Sequence, residues 1–363
     1  MRAGGPFRHV RRPLALVAAL PLVIAACGGS ASPAPTAASA SAGAGAGASA
    51  PAAASPSAVA KTLELAYISF AVANSYDAPM LAAAQGSAAA GNAKLTVFDG
   101  NLDPATQTKQ LQDAISSGKY DGIVLQPVYG AGLVTGAQDA IKAGIAVGNI
   151  DQILGADNTT AKAQIEGQST NVVFVPSELG RKIGELVVKA CGTANPCNVG
   201  YIWSVKAAAL DASLKQAFDK ATSVNPAIKV VAEGESFYTT PLGLKAAQDM
   251  LQAHPDITVI TGADQAITGA VQAVTDAGLK GKVQLVGYGG GAIAFQGISS
   301  GDRFGTVMQA PATEGRVGVQ QLIEAIRSGK PAEGMDVLAN LPDGGVATKD
   351  NVATFLPLAE WPG

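Results

Sequence analysis

The sequence predicts an α/β protein of two doubly wound parallel-sheet lobes joined by a hinge. Three observations lead there. From Val59 onward, short apolar runs alternate with helical stretches, with few breaks. The runs are continuously apolar rather than alternating, as in parallel strands covered on both faces. One strand–helix unit also recurs: Leu133-Val-Thr-Gly-Ala-Gln-Asp-Ala-Ile-Lys-Ala-Gly-Ile145 lines up with Ala266-Ile-Thr-Gly-Ala-Val-Gln-Ala-Val-Thr-Asp-Ala-Gly-Leu279.

In chain order, the apolar runs 63–68, 95–98, 122–125 and 145–150 read as strands, separated by helices near 79–90, 104–117 and 131–143. The order repeats with strands near 199–203, 229–232, 257–260 and 283–286, and helices near 210–222, 242–253 and 266–277. A folded part of about 300 residues is large for one simple core, which also argues for two lobes. The expected division is a first lobe over 59–168, with 310–337 returning to it, and a second over 169–309, with 338–363.

The start of the chain has a different character. Residues 1–26 carry Arg2, Arg8, Arg11 and Arg12, no acids, and then an apolar run ending Ile24-Ala25-Ala26-Cys27. Basic start, apolar middle and small residues make a secretory signal. The ending resembles the lipobox of bacterial lipoproteins, which implies a lipidated Cys27 on the outer side of a bacterial membrane, periplasmic or at the cell surface. The run is too short to span a bilayer, which takes roughly 20 residues. Residues 27–58 are almost wholly Ala, Gly, Ser and Pro without charge, hence a tether with a reach on the order of 30 Å.

Charge and composition exclude several functions. Removing residues 1–26 leaves 21 basic and 28 acidic residues, a net charge of −7. That speaks against nucleic acid, whose binding rests on Lys and Arg contacts to phosphate. The only histidine after residue 26 is His254, so a histidine-ligated metal or a histidine relay has almost nothing to use. No metal and no cofactor are expected. Cys191 and Cys197 remain as an even pair in an oxidising compartment, so a disulfide closing this short loop is expected. A metal pair is the alternative, without a second cysteine pair or a histidine to complete it.

In a doubly wound sheet, ligands bind beyond the carboxyl ends of the strands. The residues there are Asn74, Tyr76, Gln126, Tyr129, Asp151, Gln152, Trp203, Phe237, Tyr238, Asp264, Tyr288 and Gln309. Aromatics are only 5% of the chain, so their gathering at these ends carries information. Flat rings that cover C–H faces, with Asp, Asn and Gln to meet hydroxyls, suit a small polyhydroxylated molecule. The expected ligand set is Asn74, Tyr76, Asp151, Gln152, Trp203, Tyr238, Asp264, Tyr288 and Gln309, with no catalytic residue. The competing reading makes Trp203 and Phe237 core and the polar residues helix caps.

With these residues in view, the chain from 61 to 335 resembles the type I periplasmic sugar-binding proteins, the ribose- and galactose-binding group that feeds ATP-driven importers. The resemblance lies in Val97-Phe-Asp-Gly-Asn-Leu-Asp-Pro-Ala105, Tyr120-Asp-Gly-Ile-Val-Leu-Gln-Pro127, Leu251-Gln-Ala-His-Pro-Asp-Ile257, Val286-Gly-Tyr288 and Thr306-Val-Met-Gln309. It implies ligand contacts at Asn74, Tyr76 and Asp151, an aromatic stack at Tyr238, an acceptor at Asp264 and a hinge position at Gln309. It also implies the permease and ATPase subunits of an ABC importer as partners, and a monomer. Departures from the pattern stand out: Gln152 replaces an arginine of the ribose binders, Ala212 lies near a second, and Gly289 replaces an aspartate. A ligand less densely hydrogen-bonded than ribose, such as a sugar alcohol or deoxysugar, follows from those losses.

Two motifs lead elsewhere and fail. Gly297-Ile-Ser299-Ser-Gly301 has the spacing of a hydrolase nucleophile elbow, but no histidine follows it; Ser299 is expected in a surface turn. Gly287-Tyr-Gly-Gly-Gly-Ala292 resembles a dinucleotide fingerprint but closes the second lobe, with no acid-ended strand about 20 residues on. The function expected is an extracytoplasmic solute-binding lipoprotein capturing a sugar, polyol or similar small polar molecule for an ABC importer. The alternatives are a ligand-sensing accessory of a surface signalling receptor, and an extracytoplasmic enzyme acting on a small carbohydrate through Asp151 and Asp264 paired across the closed lobes.

Overall fold

The computed structural model describes residues 61–363. The expected signal, the expected lipidation at Cys27 and the expected tether lie outside the described residues. The first lobe opens with β1 (Leu63–Ser69), α1 (Asp77–Ala90), β2 (Ala93–Asp99) and α2 (Pro104–Ser116). It continues through β3 (Gly122–Leu125), α3 (Gly130–Lys142), β4 (Ala146–Asp151) and β5 (Thr170–Val173). The chain then passes to the second lobe with α4 (Pro176–Cys191), β6 (Cys197–Trp203), α5 (Ala209–Thr222), β7 (Ile228–Glu235) and α6 (Thr240–Ala253). That lobe is completed by β8 (Val259–Ala263), α7 (Asp264–Asp276), β9 (Gln284–Gly289), α8 (Ala292–Ser300) and β10 (Gly305–Met308). Helix α9 (Pro311–Ser328) returns to pack on α1 and β4, β11 (Met335–Asp336) joins the first sheet, and β12 (Val346–Thr348) joins the second.

The two sheets have the same strand order. The first reads β11-β5-β4-β3-β1-β2 and the second β12-β10-β9-β8-β6-β7, so each strand of one has a counterpart in the other. All pairings are parallel except β10 with β12. The aligned repeats fall on α3 and α7, which follow the third strand of each lobe. A further symmetry was not visible in the alignment. Asn101 and Leu102 after β2, and Phe237 and Tyr238 after β7, form left-handed pairs at equivalent loops, with φ of 47° and 61° in one and 47° and 55° in the other.

The central strands are apolar for the reason parallel strands usually are. β3, β6 and β8 are buried along their whole length, with helices on both faces. Edge strands β2 and β7 are half-buried and carry lysines and acids outward. Starts of helices are marked by proline in the first turn of α2, α4, α6 and α9. Asp103 caps α2, accepting from the Ala105 amide.

The chain changes lobes three times: at 174–176, at 309–311 and between β11 and β12. The first crossing falls a few residues after the expected 168/169 division, because β5 still pairs with β4. Cys191 and Cys197 are disulfide-bonded, tying the end of α4 to the start of β6. Ser299 is not in a turn. It lies in the last turn of α8, where its Oγ donates to the Phe295 carbonyl. No helix of the described residues is long and apolar enough to cross a membrane.

Candidate functional site

Between the lobes, at the carboxyl ends of both sheets, lies a cavity with an empty volume of about 470 Å³, part of it open to solvent. The wall from the first lobe is set by the β1–α1 loop and the ends of β4 and β5. Asn74 folds its Oδ1 back onto the Tyr76 amide (2.8 Å), holding the loop so that Tyr76 and Asp77 face inward. Asp151 ends β4 in left-handed backbone (φ 68°), a conformation few side chains favour, which clusters at binding sites. Gln152 follows it, and Phe70 and Phe174 supply apolar surface.

Gln126, buried at the end of β3, organises this wall. Its Nε2 donates to Asp77 Oδ1 (2.6 Å) and to Asp151 Oδ2 (3.1 Å). Its Oε1 accepts from the Tyr67 hydroxyl and the Phe70 amide, both at 3.2 Å. One amide therefore sets the orientation of two carboxyl groups. Glu314, in the first turn of α9, is fully buried, and neither of its carboxyl oxygens has a hydrogen-bond partner among the described residues.

The wall from the second lobe carries Tyr238, Gln265, Tyr288 and Gly289, with Leu210 and Leu214 of α5 beneath. Tyr288 Oη and Ser204 Oγ share a hydrogen bond of 2.6 Å, and the Ser204 amide donates to Asp211 Oδ1 (2.8 Å). Gln309 lines the cavity from the hinge, its amide donating to the Gly289 carbonyl (3.0 Å).

Rings meet across the cleft. Phe70 of the first lobe meets Tyr238 of the second edge to face at 6.4 Å, and Tyr76 meets Trp361 at 5.5 Å. Trp361 comes from the C-terminal segment, and its Nε1 donates to the Gly289 carbonyl (2.9 Å). A Cβ at Gly289, whose φ is 129°, would lie 2.7 Å from the indole. The tryptophan thus occupies the space that an aspartate side chain would need at this position.

Of the expected ligand residues, the structure brings Asn74, Tyr76, Asp151, Gln152, Tyr238, Tyr288 and Gln309 to one cavity. Two do not reach it. Asp264 is fully buried behind the wall, where its Oδ1 accepts from Arg303 Nη1 (2.8 Å) and its Oδ2 from the Gly290 amide (2.6 Å) and Thr306 Oγ1 (2.9 Å). Gly287 makes room for it, since a Cβ there would lie 1.9 Å from Oδ1. The carboxylate is consumed by an internal ion pair, so the acceptor role expected of it is corrected, as is its pairing with Asp151. Trp203 is likewise core, its ring packed against Tyr201 and beneath the Lys206 and Lys215 ammonium groups.

Phe70, Asp77, Phe174, Gln265 and Trp361 line the cavity without having been expected. Asp77 carried a usable signal, an acid at a helix start one residue after an expected ligand residue. Trp361 carried none, because it lies beyond the last strand–helix unit.

The titration of this site follows from burial without cations. No lysine or arginine of the described residues lines the cavity. Burial pushes the Asp151 carboxyl up to about 7, against the Gln126 bond that lowers it. Burial and then the charge of Asp151 push Asp77 well above the carboxylate range, and Asp99 adds to this. Glu314 rises through burial and then through Asp151, Glu360, Asp77 and Asp336. Burial raises Asp211 to about 6. The hydroxyls of Tyr76, Tyr238 and Tyr288 are raised first by burial and then by neighbouring groups, so they remain donors at neutral pH.

A carboxyl that holds its proton more tightly when folded makes the folded protein bind more protons than the unfolded chain. Stability then falls as pH rises from the unfolded value near 4 to the folded one. The melting temperature of the ligand-free protein is therefore expected to be higher at pH 5 than at pH 8. Asp151→Asn should flatten the decline and stabilise the protein at pH 8 by roughly 1–3 kcal/mol. Thermal unfolding across this range checks it; a rise in stability from pH 5 to 8 would contradict it.

Comparison with known proteins gives a consistent picture. The D-allose-binding periplasmic protein of Escherichia coli is 29% identical over 232 residues, 61% of this chain and 70% of that protein. The D-ribose/D-allose-binding protein of Pseudomonas aeruginosa is 26% identical over 246 residues, 66% and 73%. A solved ABC transporter solute-binding protein from Mycobacterium smegmatis with bound glycerol superposes with a TM-score of 0.70 at 23% identity, over 84% of this chain and 100% of that one. A family model described as the periplasmic binding protein domain matches residues 65–331. The chain belongs to the periplasmic binding protein family.

Proposed function

We propose that this protein captures a sugar, polyol or similar small polar solute between its lobes, outside the cytoplasm, and delivers it to an ABC importer without transforming it. The observation that supports this most is the cavity itself. Its walls come from both lobes and combine ring faces with amide, hydroxyl and carboxyl groups, a lining suited to alternating C–H and O–H surfaces. The relatives named for D-allose and ribose, and the neighbour solved with glycerol, point to the same ligand class.

The proposed ligand contacts are Asn74, Tyr76, Asp151, Gln152, Tyr238, Tyr288 and Gln309, with Asp77, Gln265 and Trp361 added from the structure. The proposed setting is a monomer anchored through lipid on Cys27, its tether letting the lobes stand clear of the headgroups to meet permease and ATPase subunits. An enzymatic reading would have used Asp151 and Asp264 as a pair, and Asp264 is engaged with Arg303.

A thermal-shift screen of sugars, polyols and their amino derivatives tests this reading. A ligand that binds only the folded protein stabilises it by RT ln(1 + [L]/Kd), about 2.7 kcal/mol at a hundredfold excess over Kd. At least one member of the class is expected to raise the melting temperature by several degrees and to be recovered chemically unchanged. Turnover of that compound, or no shift from any of them, would overturn the proposal.

A further inference from the structure

The cavity joins carboxyl groups to aromatic rings, and the described residues bring no cation to it. Asp77 and Asp151 are 3% and 4% exposed and line it. Each gives one oxygen to Gln126, and the other, Oδ2 of Asp77 and Oδ1 of Asp151, accepts no hydrogen bond from the described residues. Among the described residues, the Tyr76 hydroxyl is buried on the same wall without a partner, and Glu314 behind it has both oxygens unpartnered. The cation in the neighbouring wall, Arg303, is committed to Asp264.

Three buried carboxyl groups without a positive charge are costly unless they hold protons or meet a cation. The described residues contain no group of acids, histidines or cysteines arranged to hold a metal ion. An organic cation fits better. Tyr76, Tyr238, Tyr288 and Trp361 add ring surface to the same cavity, and aromatic faces attract ammonium groups through their quadrupole. A neutral polyol would hydrogen-bond to the carboxyl groups but bring no positive charge to let them ionise.

We propose that the captured solute carries a protonated amino group on a polyhydroxylated frame, as an amino sugar or amino polyol does, with its ammonium seated against Asp77 and Asp151. The inference rests on the solute-binding reading above and narrows its ligand class. The free oxygens of the two carboxylates accept from the ammonium, while Gln265, Gln309 and the tyrosine hydroxyls meet the hydroxyl groups. Because the carboxyl groups that line the site, Asp77 and Asp151, are pushed up by burial, Asp77 also by Asp151 and by Asp99 beside them, with Glu314 raised behind them, seating a cation drives protons from them. Affinity for the amine therefore rises with pH through that titration for as long as the ligand itself stays protonated.

Calorimetry on matched pairs tests this: D-glucosamine with D-glucose, D-galactosamine with D-galactose, and 2-amino-1,3-propanediol with glycerol. In the pair that binds, the amine is expected to bind about tenfold tighter or better, to release protons to buffer, and to lose that advantage in Asp77→Asn/Asp151→Asn. If the double variant fails to fold, Asp151→Asn alone serves, and the buffer dependence of the wild-type binding heat gives an independent reading. A neutral partner that binds as tightly as its amine overturns the inference and leaves the sugar or polyol reading intact. Binding of none of the six up to millimolar concentration overturns the inference and counts against that reading too.

Discussion

Asp264→Ala is expected to destabilise the protein by about 3–5 kcal/mol, because it leaves the Arg303 guanidinium buried without its carboxylate. Both side chains are 1% exposed. The same change strands the Gly290 amide and the Thr306 hydroxyl, which donate to the lost Oδ2. Removing both charges together, in Asp264→Leu/Arg303→Met, should cost much less than either single change, since paired burial often balances against apolar packing. Chemical denaturation of the four proteins of this cycle measures it. The effect on binding should be smaller than that of Asp151→Asn, because the Asp264 side chain does not itself line the cavity, whereas Asp151 does. Wild-type stability for Asp264→Ala would show that the ion pair is not what holds this wall.

Trp361→Ala is expected to act on stability and binding together. Truncating a buried tryptophan costs about 3–5 kcal/mol through lost area and the cavity left behind. Here it also removes the edge contact with Tyr76 across the cleft and the donor to the Gly289 carbonyl. Ligand affinity should fall by about tenfold to a hundredfold, since one wall of the cavity and one bridge between the lobes disappear together. Trp361→Phe separates the parts, keeping most of the ring surface while losing the Nε1 donor, at about 0.5–1.5 kcal/mol, since the Gly289 carbonyl still accepts from the Gln309 amide. Calorimetry and denaturation on both variants decide this. Unchanged affinity in Trp361→Ala would place the indole outside the working site.

The fold was legible because it rests on local patterns. Continuous apolar runs and helical spacing placed β1, β3 and α2 within a residue of where they lie, and parallel topology then put the site at the strand ends. Strand β5 escaped notice because Thr170-Asn-Val-Val173 is only four residues long and half polar. Asp151, Tyr238 and Tyr288 were legible as residues of this cavity because the end of a strand is a local property. The role of Asp264 was not, since it depends on Arg303 lying 39 residues later and reaching back beneath the same sheet. Nor was that of Trp361, whose place is fixed by the return of the C-terminal segment to α8, where the Ala292 and Ile293 amides donate to the carbonyls of Trp361 and Pro362. The departure at Gly289 looked in sequence like a lost polar contact. In the fold it is the condition that lets an indole in.

The loss of cationic donors reads differently once the structure is considered. With glutamine at 152 and alanine at 212, the first lobe sets Gln152 beside its acids, while the second lobe and hinge offer Gln265, Gln309 and tyrosine hydroxyls. On the proposal made above, a site of this kind favours a solute that brings the charge its own residues lack. The pH dependence of stability and that of ligand affinity therefore have opposite signs, the first falling and the second rising as the same carboxyl groups lose their protons.

The most direct measurement is a crystal structure of the protein with the solute that gives the largest thermal shift. The expected density lies between the lobes, touching Tyr76 and Asp151 on one side and Tyr238 and Gln265 on the other. Density on one lobe only, or away from the cavity, would contradict capture between the lobes.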